Sequence, residues 1–208
     1  MKHWKIIAFL LVLSVGALLV FRSCQPTKYA NLPPSASGDW VAFGDSLTSG
    51  FGAAQGNDYP TLLSRKIGRP IRNGGVPGQT TENALQRLEE IVRLQPRVVL
   101  LCLGGNDGLQ HLPMDRTFAN LSAIIDRLQA GGSFVVLIGV RSASISDRYA
   151  KPFQNLAKEK QVLLVPNILS GILGTPNLMS DYIHPNDDGY KAIADRLEAI
   201  LNPILPKL

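Results

Sequence analysis

The sequence predicts an α/β fold, a three-layer α/β/α sandwich with a five-stranded parallel sheet. From Asp39 onward, five short apolar runs alternate with amphipathic stretches, which is the pattern of parallel strands joined by helices. The two runs with the fewest polar residues are VVLLCLGG and SFVVLIGV. They are too short for helices and favour strands that are buried on both faces. With 208 residues and 45% hydrophobic content, the chain can form one compact domain with a core.

The predicted strands and helices alternate along the whole domain. The strands are expected at residues 39–44, 70–75, 96–105, 133–140 and 161–167. Apolar residues at helical spacing predict helices at residues 59–67, 81–94, 117–128, 148–160 and 186–201. In such folds, functional side chains gather where the strands end, at the carboxyl edge of the sheet.

The first 38 residues differ from the rest of the chain. A basic head, MKHWK, precedes the uncharged apolar run IIAFLLVLSVGALLVF, so we expect residues 1–21 to be a membrane anchor or a signal peptide. Residues 22–38 are Pro/Ser-rich and predict a linker, and residues 39–208 form the folded domain. The protein is expected to be exported. It is either anchored in the inner membrane, facing the periplasm or the extracellular side, or periplasmic or secreted after cleavage, and lipidation of Cys24 is a further alternative.

The charge distribution argues against a nucleic-acid partner. The net charge is +5, and Lys2, Lys5, Arg22 and Lys28 supply four of these charges, which leaves the folded part nearly neutral. The two cysteines show no zinc-site spacing, and no metal or organic cofactor is expected. We expect a monomer.

Ser46 is the first candidate for chemistry. It follows the first predicted strand in the stretch FGDSLTSG, where Gly44 permits a tight turn. A serine at such a corner can be a nucleophile or simply the cap of the next helix, and a hydroxyl needs a base to become nucleophilic. The Gly/Ala-rich residues after Ser46 suggest room for a substrate.

Only three histidines could supply that base. His3 lies in the N-terminal head, and His111 is interpreted as an exposed loop residue or as part of a substrate entrance. His184 lies three residues after Asp181, a spacing that lets the carboxylate fold back and orient the imidazole. Ser46, His184 and Asp181 are therefore the candidate nucleophile, base and orienting acid, and Asp187 and Asp188 are interpreted as first-turn acids of the last helix.

Two glycine-rich corners could provide hydrogen-bond donors for an oxyanion. The third strand ends in LGGNDG, which places the Asn106 amide at the same edge of the sheet. The second strand ends in NGGVPGQTT, where the backbone N–H of Gly74, Gly75 or Gly78 could serve. Asp45 and Asp107 are interpreted as structural residues that brace these turns.

These motifs together resemble the SGNH (GDSL-type) hydrolases over residues 39–203, and are most similar to the small bacterial arylesterase, thioesterase and lysophospholipase branch. The resemblance implies a flavodoxin-like SGNH hydrolase fold and a serine esterase that works through an acyl-serine. It implies that Ser46 is the nucleophile and that Asp181 and His184 complete the triad. It also implies an oxyanion hole formed by the N–H groups of Ser46 and Gly78 and by the Asn106 amide.

The substrate is left open by the sequence. Carboxylic esters, thioesters and lysophospholipids are the first expectation. The alternatives are a carbohydrate O-deacetylase acting on envelope glycans and a catalytically silent envelope-binding module. Residues 140–180 lack some of the length associated with the acyl-chain groove of the thioesterase branch. Four apolar residues could line an acyl pocket or simply pack: Leu109, Leu112, Ile145 and Leu178.

Overall fold

A computed structural model describes residues 29–141 and 147–208. Five parallel strands form one sheet in the order β2-β1-β3-β4-β5. The predicted α/β class and the five-stranded sheet are thus confirmed. The strands are β1 (Trp40–Gly44), β2 (Ile71–Gly75), β3 (Val98–Cys102), β4 (Phe134–Ile138) and β5 (Leu163–Val165).

Helices connect the strands and cover both faces of the sheet. The short helices α1 (Ser46–Ser49) and α5 (Gly105–Leu109) follow β1 and β3 directly, at the carboxyl edge. The helices of the two outer layers and of the connections are α2 (Tyr59–Ile67), α3 (Thr81–Gln86), α4 (Leu88–Val92), α6 (Met114–Ala130), α7 (Ala150–Lys160) and α8 (Asp187–Leu201).

The three central strands carry the core because both of their faces are buried. Every residue of β1, β3 and β4 is buried, and alternate side chains enter two separate apolar clusters. One cluster packs against α2 and α8, and the other packs against α3, α4, α6 and α7. Cys102 is a free, buried thiol at the end of β3 and contributes apolar bulk to the first cluster.

The prediction of one continuous helix at residues 81–94 is wrong, because two short helices, α3 and α4, meet at Arg87. Arg87 has φ −107° and ψ 8°, which ends α3 before α4 begins. Its guanidinium lies 4.5 Å from the centroid of the Phe43 ring and donates to the carbonyl oxygen of Gly74 at 2.7 Å. The side chain reaches the end of the sheet from this break.

Residues 30–38 form a strap along the amino edge of the sheet. The N–H of Ala30 donates to the carbonyl oxygen of Gln161, before β5, and the N–H of Gly38 donates to that of Gln95, before β3. Between them, the Asn31 amide donates to the carbonyl oxygens of Gln129 and Ser133. The second half of the predicted linker therefore packs against the domain, at the edge opposite to the ends of the strands.

No helix in the described ranges is both long enough and apolar enough to cross a membrane. The predicted anchor or signal segment at residues 1–21 lies outside the described residues.

Candidate active site

Ser46 is the first residue of α1 and lies immediately beyond β1. Asp45 caps this helix, since its carboxylate accepts the N–H of Leu47 at 3.0 Å. The turn needs Gly44, because a Cβ there would lie 2.1 Å from the Thr48 hydroxyl oxygen and 2.5 Å from the Cys102 carbonyl oxygen. As the first helical residue, Ser46 has an N–H for which the helix offers no acceptor.

His184 and Asp181 lie in a hairpin-like loop that precedes α8. The N–H of Ser180 donates to the carbonyl oxygen of His184 at 2.9 Å, which closes the loop. At its tip, Asp181 Oδ1 accepts the N–H groups of Ile183 and His184, both at 2.7 Å. The carboxylate is therefore fixed from its own loop, in the folded-back arrangement that the three-residue spacing predicts.

A continuous chain of hydrogen bonds joins the three candidate residues. His184 Nε2 lies 3.0 Å from Ser46 Oγ, and His184 Nδ1 lies 2.8 Å from Asp181 Oδ2. Partial burial raises the pKa of Asp181, but the hydrogen bonds from the His184 side chain and from the two N–H groups outweigh it. The pKa of Asp181 is therefore held below its ordinary value of 3.8, so the carboxylate is charged at neutral pH.

Asn106 and Gly78 lie beside this chain. The Asn106 amide donates to the carbonyl oxygen of Gln79 at 3.0 Å, which places the Gly78–Gln79 turn next to the start of α5. Its other contact, with Asp45 Oδ2, is long at 3.4 Å, so this part of its donor capacity is weakly used. Gly78 has φ 76° and open space where a Cβ would be, as a backbone donor to a ligand requires.

The other two glycines of the second motif have packing roles. A Cβ on Gly75 would lie 2.2 Å from the backbone nitrogen of Ser49, and one on Gly74 would lie 3.0 Å from the Ala42 carbonyl oxygen. The small size of Gly75 lets α1 lie directly against β2, and Gly74 borders β1. Of the three candidate glycines, Gly78 is thus the one with free space above it.

A small cavity opens beside Ser46 and Asn106. Its volume is about 30 Å³, and it lies beyond the ends of β1, β3, β4 and β5. Leu109 lines it as the sequence suggested, whereas Leu112 and Leu178 do not line it and Ile145 lies outside the described residues. Its other apolar walls, which sequence reasoning did not identify, are Leu47, Val140, Leu169 and Ile183.

Comparison with known proteins agrees with this geometry. Residues 42–192 match the GDSL-like Lipase/Acylhydrolase family. The chain belongs to this family. It is 32% identical over 180 residues to Thioesterase 1/protease 1/lysophospholipase L1 of Escherichia coli K12, covering 82% of this chain and 86% of that protein. It is 31% identical over 172 residues to an arylesterase of Vibrio mimicus, covering 77% and 86%.

Solved structures show the same relationship. The crystal structure of TesA superposes with a TM-score of 0.75 at 25% identity, covering 79% of this chain and 98% of that one. The expected SGNH (GDSL-type) family is confirmed, and with it an enzyme that hydrolyses carboxylic esters. The silent binding module is not supported by these relatives.

In this GDSL-family hydrolase, Arg87 holds the turn that carries Gly78. Its guanidinium donates to the Gln79 side-chain oxygen as well as to the Gly74 carbonyl oxygen. Burial lowers the pKa of Arg87, although the side chain remains charged. Sequence reasoning assigned Arg87 only to a helix, because nothing in its spacing shows that it turns inward.

The loop after Ser46 packs against the His184 loop, and is not simply room for a substrate. A Cβ on Gly52 would lie 2.1 Å from the Ser180 hydroxyl oxygen and 2.9 Å from the Pro185 carbonyl oxygen. The carboxylate of Asp187 accepts the N–H of Ala54 at 2.7 Å and the side-chain amide of Asn57 at 2.8 Å. Asp187 is a first-turn acid of α8 as predicted, and it also fastens this loop.

The remaining polar candidates lie around the site. His111 is exposed at the end of α5 with φ 56°, and no hydrogen bond joins its ring to the triad residues. Asp107 is buried and accepts the N–H and hydroxyl of Thr81 at 2.9 and 2.5 Å, which ties α5 to α3. Within residues 29–141 and 147–208, no three His, Cys, Asp or Glu side chains are grouped so that they could hold a metal ion.

Asp45 should make the stability of this hydrolase depend on pH. Burial raises the pKa of Asp45 from 3.8 to about 7, because its neighbours only partly compensate the desolvated charge. Between these values the native state holds a proton that the unfolded state has lost, so the contribution of Asp45 to stability falls as pH rises. Asp45→Asn keeps a capping oxygen and removes this charge.

We expect the free energy of unfolding of Asp45→Asn, relative to the wild type, to increase by about 2 kcal/mol between about pH 5 and pH 8. Urea unfolding of both proteins at the two pH values measures this difference, and the wild type is the control for all other titrating groups. A difference that does not change with pH would contradict the raised pKa.

Proposed function

We propose that this enzyme hydrolyses esters with Ser46 as nucleophile, His184 as general base and acid, and Asp181 as the residue that orients His184. The observation that carries the proposal is the unbroken chain of 3.0 and 2.8 Å hydrogen bonds from Ser46 to Asp181. His184 Nε2 takes the hydroxyl proton as Oγ attacks the ester carbonyl, and returns it to the leaving alcohol. Water then hydrolyses the acyl-serine by the same proton path.

Three donors are assigned to the oxyanion of the tetrahedral intermediate. They are the N–H groups of Ser46 and Gly78 and the side-chain amide of Asn106. The open N–H at the start of α1, the unobstructed Gly78 and the weakly used amide hydrogen of Asn106 support this assignment. The hydrogen bond to the Gln79 carbonyl oxygen keeps the Asn106 amide oriented. Its second N–H can then exchange its weak acceptor, Asp45, for the oxyanion.

Ser46→Ala tests the nucleophile. We expect the variant to lose p-nitrophenyl acetate hydrolysis by at least about 1,000-fold and to lose covalent labelling by a fluorophosphonate, because the Ser46 hydroxyl is the one bonded to the His184 ring among the described residues. Ser64→Ala is the matched control, since the Ser64 hydroxyl donates to the Arg69 carbonyl oxygen, on α2 and away from the site. Undiminished turnover by folded Ser46→Ala would refute the mechanism.

The size of the cavity favours short acyl groups. A volume of about 30 Å³ beside Ser46 and Asn106 leaves little room for carbons beyond the first ones of an acyl group, and its walls are mostly apolar. A long chain would have to displace Leu109, Val140 or Ile183, or lie on the surface. The same observation supports the second candidate function, a carbohydrate O-deacetylase, because that reaction also removes a two-carbon acyl group.

A chain-length series tests this preference. We expect kcat/KM for p-nitrophenyl esters to fall by about tenfold or more from acetyl to octanoyl, as the acyl group outgrows the cavity. Leu109→Ala should enlarge the cavity and reduce the difference. An octanoyl or longer ester that is hydrolysed faster than acetate by the wild type would contradict the preference and favour the lysophospholipase or thioesterase alternative. Acetylated glycans in the same panel test the deacetylase.

The proposed enzyme acts outside the cytoplasm as a monomer held by the apolar run at residues 6–21. The basic head before this run supports export, and the described triad and oxyanion donors all come from one chain. The strap at the amino edge joins the N-terminal segment to the side of the domain opposite to Ser46.

Fractionation of expressing cells tests the anchor. We expect the full chain to sediment with membranes and to resist salt extraction, because an apolar segment holds it rather than charge, while a chain that begins at Tyr29 should be soluble. A shortened, soluble product of the full-length gene would show a cleaved signal peptide. Intact full-length protein in the soluble cytoplasm would contradict export altogether.

A further inference from the structure

Phe51 lies against the catalytic imidazole. The centroids of the Phe51 and His184 rings are 4.6 Å apart, with the ring planes tilted by 48°. Phe51 is 52% exposed, whereas the His184 side chain is 15% exposed. The Phe51 ring thus gains little by its own burial and removes part of the imidazole from water.

The backbone of Phe51 is fixed to both halves of the site. Its N–H donates to the Ser46 carbonyl oxygen at 3.0 Å, and its own carbonyl oxygen accepts the hydroxyl of Tyr190 at 2.9 Å. Tyr190 is fully buried in α8, six residues after His184. The position of the Phe51 backbone, and with it that of the ring, is therefore set by α1, which contains Ser46, and by α8, which follows His184.

The catalytic cycle requires such a support. The hydrogen bonds at Nδ1 and Nε2 lie in the plane of the imidazole and do little to resist a swing of the ring out of that plane. The bond to Ser46 Oγ is also lost once the serine is acylated, which leaves Asp181 as the hydrogen-bond partner of the ring. The contact with Phe51 does not depend on the acylation state.

We propose that Phe51 is a positioning residue that keeps His184 aimed at the leaving group and at the hydrolytic water. This inference rests on the proposed function of Ser46 and His184. It predicts that the loss of the Phe51 ring affects most the step in which His184 must deliver a proton. A phenolate leaving group needs that proton more than a p-nitrophenolate does, because it is the stronger base.

Phe51→Ala should therefore reduce kcat/KM for phenyl acetate by about tenfold and that for p-nitrophenyl acetate by a clearly smaller factor, with KM nearly unchanged for both. Phe51→Tyr retains an aromatic ring and should restore both rates to within about twofold of the wild type. Met114→Ala, which removes another exposed apolar side chain at the start of α6, is the control and should match the wild type.

Three outcomes would overturn the proposal. The first is that Phe51→Ala leaves both rates unchanged. The second is an equal loss for the two esters, as expected if less of the enzyme were folded. The third is a rise in KM without a change in kcat, as expected of a residue that only contacts the substrate. Fluorophosphonate titration of each variant gives the concentration of active sites. A wild type that neither labels nor hydrolyses either ester would refute the proposed function itself, which is a different result from an active wild type that is insensitive to Phe51.

Discussion

The hydrogen bond between His184 and Ser46 is the contact on which the site depends, and it joins residues 138 positions apart. Local sequence cannot set that distance. The packing of α8 sets it coarsely, because α8 and α2 share one apolar cluster with β1, the strand that Ser46 follows. The loop at residues 50–57 sets it finely, since Gly52 allows this loop to touch the His184 loop and Asp187 fastens it. An alanine Cβ at Gly52 would lie within 3 Å of Ser180 and Pro185 and would push the two loops apart beside His184.

The same corner carries a stability cost. Asp45 is buried beneath the start of α1, and its raised pKa is a measure of how poorly the site solvates a charge. A neutral cap would stabilise the helix without that cost. The carboxylate also lies 3.4 Å from the Asn106 amide, so it competes for the hydrogen that we propose Asn106 donates to the oxyanion. Burying the Asp45 carboxylate beside the proposed active site therefore lowers the stability of the fold. Active sites commonly contain such destabilising polar groups.

The sequence contained much of the fold and of the site because both follow local rules. Apolar runs of strand length predicted the five strands, and glycine-rich corners after them placed Ser46, Gly78 and Asn106 at one edge. The three-residue spacing placed Asp181 against His184. The boundary at Asp39 and the catalytic roles remain predictions, although the packed strap at residues 30–38 shows that contacts with the domain begin earlier in the chain.

What the sequence did not contain are contacts between distant segments. Arg87 has helical spacing, yet it breaks its helix so that its guanidinium can reach Gly74 and the Gln79 side chain. Phe51 stands in a Gly/Ala-rich stretch that suggests empty space, yet Ser46 and Tyr190 hold it against His184. Neither residue has a periodicity or a motif that reports its partner. Residue type in a motif determines which chemistry the edge of the sheet can perform, whereas side chains outside the motifs determine how firmly the reacting groups are held. Substitutions at Arg87 and Phe51 should therefore loosen the positions of the reacting groups while they leave every motif residue in place.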